Sequence, residues 1–322
     1  MRAPKVLLSL YVLGLASCHR LVTPDTERMS SVLITGTSTG IGCVTAVTLA
    51  SRGWQVFATM RNLEASGPLE RSLNAASVRN QVVIEKLDVT DPNSIQAAVA
   101  ATLKRTGNTL DAVVHNAGVA VGGAFEDLPQ VEIRRVMETN FFGVLELTRA
   151  LLPTFRGQRH GRIVIVSSDA AFFGQPANCM YCASKWALEG WAESLVYELE
   201  PFGIDVSLIE PGPYRTAIWE SSPRIRPSGS AYSQWVGKVF EAGDWHGARM
   251  GRDPKEVALA IARALEARRP HFRYPVGPFG HLNHFLRGKI PSRRVQRGAE
   301  LYLGLPRFSK RRDTRGTPRR GI

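Results

Sequence analysis

A tyrosine and a lysine four residues apart are the side chains of this 322-residue chain best suited to acid–base chemistry. Tyr181 and Lys185 share one face of any helix that contains them, because positions i and i+4 are neighbours on a helix. A phenol, with a reference pKa near ~10, exchanges protons near neutral pH only when a neighbouring cation stabilises its phenolate. Upstream, Ser168 ends a strand-like run and offers a hydroxyl that can polarise a carbonyl. The three side chains predict proton transfer at a carbonyl or alcohol oxygen.

A glycine-rich turn between an apolar strand and a helical stretch predicts a binding site for a dinucleotide. The turn runs from Thr35 to Gly42 with the sequence TGTSTGIG, and a helix is predicted from Cys43 to Ser51. Glycines let the backbone approach a pyrophosphate closely, and the helix N-terminus offers free N–H groups. The alternative is a glycine-rich loop without a ligand. The predicted contacts are Gly36, Ser38, Thr39, Gly40, Ile41 and Gly42.

The choice between NADP(H) and NAD(H) depends on the end of the second predicted strand. An acidic residue there would bind the ribose 2′-hydroxyl of NAD(H), but the chain has Arg61. A guanidinium forms a forked, charge-assisted pair with a 2′-phosphate, so NADP(H) is predicted; the alternative is an ordinary solvated arginine. Asp88, after the third predicted strand, is predicted to accept a hydrogen bond from adenine or to cap the helix that starts near Pro92, and the two roles are compatible.

These motifs together resemble the short-chain dehydrogenase/reductase family over roughly residues 31–275. The glycine turn matches the family's TGxxxGIG motif, and Tyr181 with Lys185 matches its YxxxK motif. The family's NNAG element is present with His115 in place of its first asparagine. The resemblance implies that Ser168 positions the substrate, that Tyr181 is the acid or base, that Lys185 holds the ribose and tunes Tyr181, and that Asn140 supports a water relay. It also implies cofactor contacts from Tyr181, Lys185, Asn116, Ala117, Gly118, Pro211, Gly212 and Thr216.

A narrower resemblance links three segments to the branch that holds 17β-hydroxysteroid and retinol dehydrogenases. The segments are Thr59–Leu63, Tyr181–Gly190 and Leu208–Pro213. This implies an NADP(H)-dependent enzyme that interconverts a hydrophobic secondary alcohol and ketone and forms a homodimer or homotetramer. The alternative is a non-catalytic NADP(H)-sensing protein on the same fold. The aromatic residues predicted to line an apolar substrate pocket are Phe172, Phe173, Tyr214 and Trp219.

The elements that must position these residues follow an alternating pattern. Strand-like runs alternate with helical stretches, which predicts an α/β fold: a Rossmann-type doubly wound parallel sheet with helices on both faces. The runs lie at 31–35, 55–59, 82–87, 111–115, 162–168, 205–210 and near 272–276. Residues 213–250 interrupt the pattern and are rich in Pro, Ser, Gly, Trp and Tyr. A long loop acting as a lid or binding loop is predicted there.

The two ends of the chain differ from the predicted NADP-binding oxidoreductase domain at 29–280. Residues 1–28 resemble a bacterial lipoprotein signal, which would mean lipidation at Cys18 and export. The favoured alternatives are translation that starts at Met29 and an extension without a function. NADP(H) is intracellular, so a cytoplasmic location is predicted. The segment 281–322 carries much of the net charge of +13 and is predicted to be disordered after about 306. A solvated tail is favoured over contact with an anionic membrane surface, nucleic acid is disfavoured, and no metal site is predicted.

Overall fold

Seven parallel strands form one sheet in a computed structural model of the chain. The structure describes residues 29–216, 218–277, 280–286 and 289–302. The predictions for residues 1–28, including Cys18, and for the chain after 306 therefore lie outside the described residues.

The sheet has the strand order β3-β2-β1-β4-β5-β6-β7. All six neighbouring pairs are parallel. Each predicted strand is present within two residues of its predicted ends, which confirms the predicted doubly wound sheet. The strands are β1 Ser31–Thr35, β2 Gln55–Met60, β3 Val82–Lys86, β4 Ala112–His115, β5 Gly161–Val166, β6 Ile204–Pro211 and β7 Arg273–Val276.

Helices cover both faces of the sheet, as predicted. One apolar core lies between the sheet and α1, α2 and α9, and a second lies between the sheet and α3, α5 and α6. The strands are therefore buried on both sides, which explains why they are almost continuously apolar. The helices are α1 Gly40–Ala50, α2 Gly67–Ala75, α3 Pro92–Arg105, α4 Gln130–Met137, α5 Gly143–Gln158, α6 Cys179–Leu199, α7 Ile218–Ser221, α8 Ser233–Met250, α9 Lys255–Glu266, α10 Gly280–Leu286 and α11 Ser292–Tyr302.

The segment 213–250, predicted as a long loop, contains two helices instead. The short α7 and the 18-residue α8 occupy much of it. The prolines of this segment all precede α8, whose own sequence contains none, so the average composition concealed a helical stretch. Val236 of α8 is fully buried and anchors the helix to the rest of the domain.

The C-terminal region that the structure describes consists of α10 and α11. Pro291 lies directly before α11, so the proline separates the two helices as its effect on a helix predicts. Leu282 and Phe285 of α10 are exposed. Among the described residues, no helix combines the length and the apolar character needed to cross a membrane.

Candidate active site

Tyr181 and Lys185 lie in the first turns of α6, next to the carboxyl end of β5. Both side chains are buried, with 7% of Tyr181 and 4% of Lys185 exposed. Lys185 Nζ donates a hydrogen bond to the carbonyl oxygen of Val166 over 2.8 Å. The same nitrogen is 5.6 Å from the centroid of the Tyr181 ring. The helix therefore presents the phenol and the ammonium as one unit, as the four-residue spacing predicts.

Ser168 reaches this pair from the loop that follows β5. Its hydroxyl accepts a hydrogen bond from the Ala170 N–H over 3.1 Å and so caps a short 3-10 turn, Asp169–Ala171. The same hydroxyl is hydrogen-bonded to the Tyr181 phenol. The structure thus brings the predicted serine and tyrosine into direct contact.

Asn140 is held in a π-helical turn, Glu138–Phe142, between α4 and α5. Its side chain is fully buried, and Nδ2 donates to the Val119 carbonyl over 2.8 Å and to Ser184 Oγ over 3.0 Å. Oδ1 accepts from the Val119 N–H over 2.8 Å. One amide therefore joins the loop after β4 to α6, and single π turns of this kind are frequent at functional sites.

Burial governs the protonation of the site. It raises the pKa of Tyr181, and the hydrogen bond with Ser168 lowers it only in part. Burial also lowers the pKa of Lys185 to about 8, against the opposing effect of the Glu189 carboxylate. The sequence predicted that Lys185 would lower the pKa of Tyr181, but in this structure burial outweighs any such effect, because a phenolate loses its hydration there. Tyr181 is therefore protonated at neutral pH.

Asp169 is a site residue that the sequence reasoning missed. Its Oδ1 accepts a hydrogen bond from Ser168 Oγ over 3.2 Å. Burial raises the pKa of Asp169 to about 6, although the Ser168 hydroxyl opposes this rise. The negative charge of Asp169 in turn raises the pKa of Tyr181. Its position directly after Ser168 was the one signal that could have revealed it.

The glycine turn is closed tightly onto the loop after β4. Gly36 and Gly40 adopt φ angles of +70° and +59°, which side chains rarely tolerate. A Cβ at Gly42 would overlap the Gly36 carbonyl oxygen and Asn116 Nδ2. Asn116 Nδ2 donates to the carbonyl oxygens of Thr35 and Gly36, both over 2.9 Å. Asn116, predicted as a cofactor contact, thus holds the turn itself.

The start of α1 fits the phosphates of a dinucleotide. Its N-cap, Thr39, makes no side-chain capping bond to a described residue, and the first turn of α1 contains no acidic residue. Its first N–H groups and the positive end of the helix dipole are therefore free to bind an anion. The neighbouring Ser38 and Ile41 are half-buried at this turn.

The opposite end of the candidate cofactor site has two cations rather than one. Arg61 follows β2, and Lys86 ends β3 in register with Met60. Both line a cavity of about 460 Å³ together with Asp88. The sequence reasoning missed Lys86 because the pairing of β2 with β3 places it there.

The capping role that the sequence offered for Asp88 is wrong. Asp88 Oδ1 accepts from the N–H of Thr90 over 2.9 Å and from its hydroxyl over 2.7 Å. Asp91 caps α3 instead, by accepting from the Asn93 N–H over 2.9 Å. The adenine contact of Asp88 stays a prediction.

The remaining predicted cofactor contacts lie at the carboxyl ends of β4 and β6. A Cβ at Gly36 would lie 2.8 Å from Ala117 Cα, so this loop touches the glycine turn. A Cβ at Gly118 would lie 3.5 Å from Asn140 Oδ1 and 3.9 Å from Lys185 Nζ. Thr216 approaches Gly40 closely from the loop after β6. Two further predicted residues, at the end of β6 and just after it, are Pro211 and Gly212.

The four aromatic residues predicted to line a pocket belong to two segments, one after β5 and one after β6. Phe172 is buried, and Phe173, next to it, is half-buried. Trp219 belongs to α7. Tyr214 belongs to the apolar core that contains α9, and its hydroxyl donates to Glu256 Oε2 over 3.0 Å; its place in a pocket stays a prediction. Ile218, which the sequence reasoning did not single out, packs against the cluster that contains Tyr181.

His115, at the end of β4, is a structural residue. Its Nε2 and the Thr148 hydroxyl form a hydrogen bond of 2.9 Å. Burial lowers the pKa of His115 to about 3, so the ring is neutral at physiological pH. This bond ties the end of β4 to α5.

Known proteins share this sequence pattern. The family described as short chain dehydrogenase matches residues 30–225. An uncharacterized oxidoreductase of Bacillus subtilis is 39% identical over 80% of this chain and 93% of its own length. Human 17-beta-hydroxysteroid dehydrogenase type 1 is 36% identical over 76% of each chain. Retinol dehydrogenase 8 of Bos taurus is 34% identical over 76% of this chain and 80% of its own.

Solved structures agree with this match. A short-chain dehydrogenase from Streptomyces avermitilis has a TM-score of 0.70 and 32% identity, over 86% of this chain and 98% of its own. A metagenomic short-chain oxidoreductase in complex with NADP has a TM-score of 0.61 and 26% identity, over 77% of this chain and 97% of its own. The glycine turn, the Ser168–Tyr181–Lys185 arrangement and these similarities lead to one conclusion. The chain belongs to the short-chain dehydrogenase family of oxidoreductases.

Proposed function

We propose that this protein is an NADP(H)-dependent oxidoreductase that interconverts a hydrophobic secondary alcohol and the corresponding ketone. The observation that carries the proposal is the contact of Ser168 with Tyr181 beside the buried ammonium of Lys185, at the same sheet edge as the glycine turn. When bound there, a nicotinamide dinucleotide supplies or accepts the hydride.

Each side chain has a role that its surroundings support. The Ser168 hydroxyl hydrogen-bonds the substrate oxygen and polarises the carbonyl. Tyr181, protonated at neutral pH, donates its proton to that oxygen during reduction. The phenolate left behind is buried, so the Lys185 ammonium stabilises it. Asn140, fixed by its three hydrogen bonds, supports a water relay next to Lys185.

The preference for NADP(H) follows from the two cations at the ends of β2 and β3. Arg61 and Lys86 line one cavity, and a 2′-phosphate carries the negative charge that such a pair attracts. Dependence on NADP(H) also favours a cytoplasmic location, and the family resemblance favours a homodimer or homotetramer.

A hydrophobic substrate fits the apolar side chains near Tyr181. Ile218 packs against the Tyr181 cluster, and Phe172 and Phe173 follow the loop that carries Ser168. The names of two relatives point to a steroid and to retinol, both largely apolar alcohols. We therefore propose a steroid-like or retinoid-like substrate class.

Turnover by the purified full chain tests this function. NADPH consumption should be measured with a panel of steroid, retinoid and simple aryl or alkyl ketones, and with Tyr181→Phe as the matched variant. We expect turnover that falls at least about 100-fold in Tyr181→Phe, because the proton donor is lost. NADPH binding without turnover in the wild type would favour a non-catalytic sensor instead. Equal rates for the two proteins would refute the role of Tyr181.

Cofactor preference is tested by Arg61→Asp. The substitution removes a cation from the 2′-phosphate site and supplies an acceptor for a ribose hydroxyl. We expect the ratio of kcat/KM for NADPH to that for NADH to fall by at least about tenfold, equivalent to ~1.4 kcal/mol. Arg71→Asp on α2, outside the residues that line this cavity, is the control. An unchanged ratio in Arg61→Asp would contradict the proposed role.

A further inference from the structure

Two carboxylates are completely buried behind the proposed catalytic pair. Glu189 lies in α6, one helical turn after Lys185, and Glu210 lies in β6. Both are 0% exposed. An ionised carboxylate is costly to bury unless it is paired, so these two side chains need a cation.

Arg273 of the edge strand β7 supplies that cation. Its Nη1 contacts Glu210 Oε1 over 2.5 Å and also pairs with Glu189. Its Nη2 pairs with Glu193, which is half-exposed on the next turn of α6. The Arg273 side chain is itself 13% exposed. One guanidinium therefore holds three carboxylates, two of them buried, and fixes the position of the Glu189 side chain.

The face of α6 that carries the site continues directly into this ion cluster. Its residues recur every four positions, so their side chains lie in one row: Tyr181, Lys185, Glu189 and Glu193. Two further titratable groups face this row. Asp169 faces its Tyr181 end, and His284 of α10 places Nδ1 3.5 Å from Glu210 Oε2. The Glu189 carboxylate is the group in the row that favours the charged form of Lys185.

We propose that Glu189, held in place by Arg273, is a positioning residue that keeps Lys185 charged beside Tyr181. Lys185 is 4% exposed, so water provides little stabilisation of its charge. The Val166 carbonyl accepts a hydrogen bond from Lys185 Nζ, and the Glu189 carboxylate, one turn along α6, favours the charged form of Lys185. Arg273 contributes by keeping Glu189 ionised inside the protein. This inference rests on the proposed function, in which the Lys185 ammonium stabilises the Tyr181 phenolate.

Loss of the Glu189 charge should therefore narrow the pH range of activity from its alkaline side. Without the carboxylate, Lys185 loses its proton at a lower pH. The Tyr181 phenolate then forms without a compensating cation, and proton donation to a ketone slows. The same substitution leaves Arg273 with Glu193 and Glu210 as partners, so it creates no unpaired buried charge.

The charge of Lys185 is to be measured directly in the full chain, by NMR titration of protein labelled at lysine Cε. The Lys185 resonance is identified by its absence from the spectrum of Lys185→Arg. We expect Glu189→Gln to lower the titration midpoint by about one pH unit or more. Glu193→Gln is the matched control, on the same face and the same arginine but two turns from Lys185, and should shift the midpoint much less. Glu189→Asp, which keeps the charge, should restore most of the wild-type midpoint.

In Glu189→Gln, the alkaline limb of the pH profile of kcat/KM for ketone reduction should move to lower pH together with the titration midpoint of Lys185. An unchanged Lys185 midpoint in folded Glu189→Gln, or an equal shift in Glu193→Gln, would overturn the inference. If Glu189→Gln does not fold, Glu189→Met removes the same charge with a side chain of similar length, and the same fall is expected. The NMR titration of Lys185 does not depend on turnover. An inactive wild type would therefore count against the proposed function without deciding whether Glu189 keeps Lys185 charged.

Discussion

At the scale of single residues, the site combines groups that burial drives toward their neutral forms. Tyr181 and Asp169 are acids whose pKa burial raises, and Lys185 is a base whose pKa burial lowers. When burial raises the pKa of an acid and lowers that of a neighbouring base, the two pKa values indicate which group donates a proton and which group carries charge. Tyr181 retains its proton for donation, while Lys185, with a pKa of about 8, remains mostly charged at neutral pH.

Asp169 should destabilise the fold at neutral pH. Its carboxyl has an ordinary pKa of 3.8 and a pKa of about 6 in the folded protein. Below pH 3.8 the carboxyl is protonated in both the folded and the unfolded state. As the pH rises from there through the folded-state pKa of about 6, the unfolded state ionises more easily, so the folded state loses stability. We expect Asp169→Asn to be about 1–2 kcal/mol more stable than the wild type at pH near ~7, with the difference disappearing below pH ~4.

Urea unfolding across this pH range measures that difference. Asp91→Asn is the control, because Asp91 is exposed and asparagine caps a helix about as well as aspartate. A stability difference for Asp169→Asn that stays constant with pH would show that the carboxyl titrates alike in both states.

At the scale of elements, the contact between the glycine turn and the loop after β4 determines the geometry of the cofactor site. Gly42 lies in the first turn of α1, where a Cβ would overlap backbone and Asn116. We expect Gly42→Ala to cost about 1–3 kcal/mol of unfolding free energy, because the turn must open to make room. NADPH binding should weaken by at least about tenfold, since the backbone that meets the phosphates moves.

Gly190→Ala is the matched test within another helix. A Cβ at Gly190 in α6 would meet nothing within 4 Å, so this substitution should stabilise the protein by up to about 1 kcal/mol. Urea unfolding and NADPH fluorescence titration measure both effects. If Gly42→Ala and Gly190→Ala change the unfolding free energy and the NADPH affinity equally, the close contacts of Gly42 are not the reason for a glycine at that position.

The sequence predicted the strands and helices whose pattern of apolar or functional residues lies within one short segment. Apolar, β-branched runs such as Val82–Ile84 identified strands, and the Tyr181–Lys185 spacing identified a helix face. The helix α8 was missed because prolines and glycines just before Ser233 dominated the composition. The π-helical turn around Asn140 was missed as well, because its extra residue per turn leaves no compositional signal.

At the scale of the whole molecule, the sheet separates two cores that should respond independently. Leu49 of α1 and Leu147 of α5 are both fully buried, on opposite faces. We expect Leu49→Ala and Leu147→Ala each to cost about 2–5 kcal/mol, because each leaves a cavity. The double variant should lose the sum within about 0.5 kcal/mol, since the sites share no contact.

Urea unfolding of the two single variants and the double variant measures this additivity. Arg52→Gln is the surface control: it breaks the ion pair with Glu266, and with Arg52 43% exposed it should cost less than about 1 kcal/mol. A double variant that loses far less than the sum would show that the cores are coupled through the sheet.

At this scale, the sequence did not predict which distant residues become neighbours in space. The Arg273 cluster joins α6, β6 and β7, and the pairing of β2 with β3 brings Lys86 to the cavity that Arg61 lines. Neither follows from a motif, because each depends on which strands become neighbours. The grouping of Ser168, Tyr181 and Lys185 was predictable, because Tyr181 and Lys185 are four residues apart on one helix and Ser168 follows the end of one strand.

The strand order also has a consequence for synthesis on the ribosome. β2 emerges soon after β1 and can pair with one edge of it, but the other edge must wait for β4, beyond α3. During that interval, roughly 3–10 s at ordinary translation rates, an apolar edge with unpaired N–H and C=O groups faces the surroundings. Until β4 leaves the ribosome, the nascent chain is therefore open to aggregation at this edge.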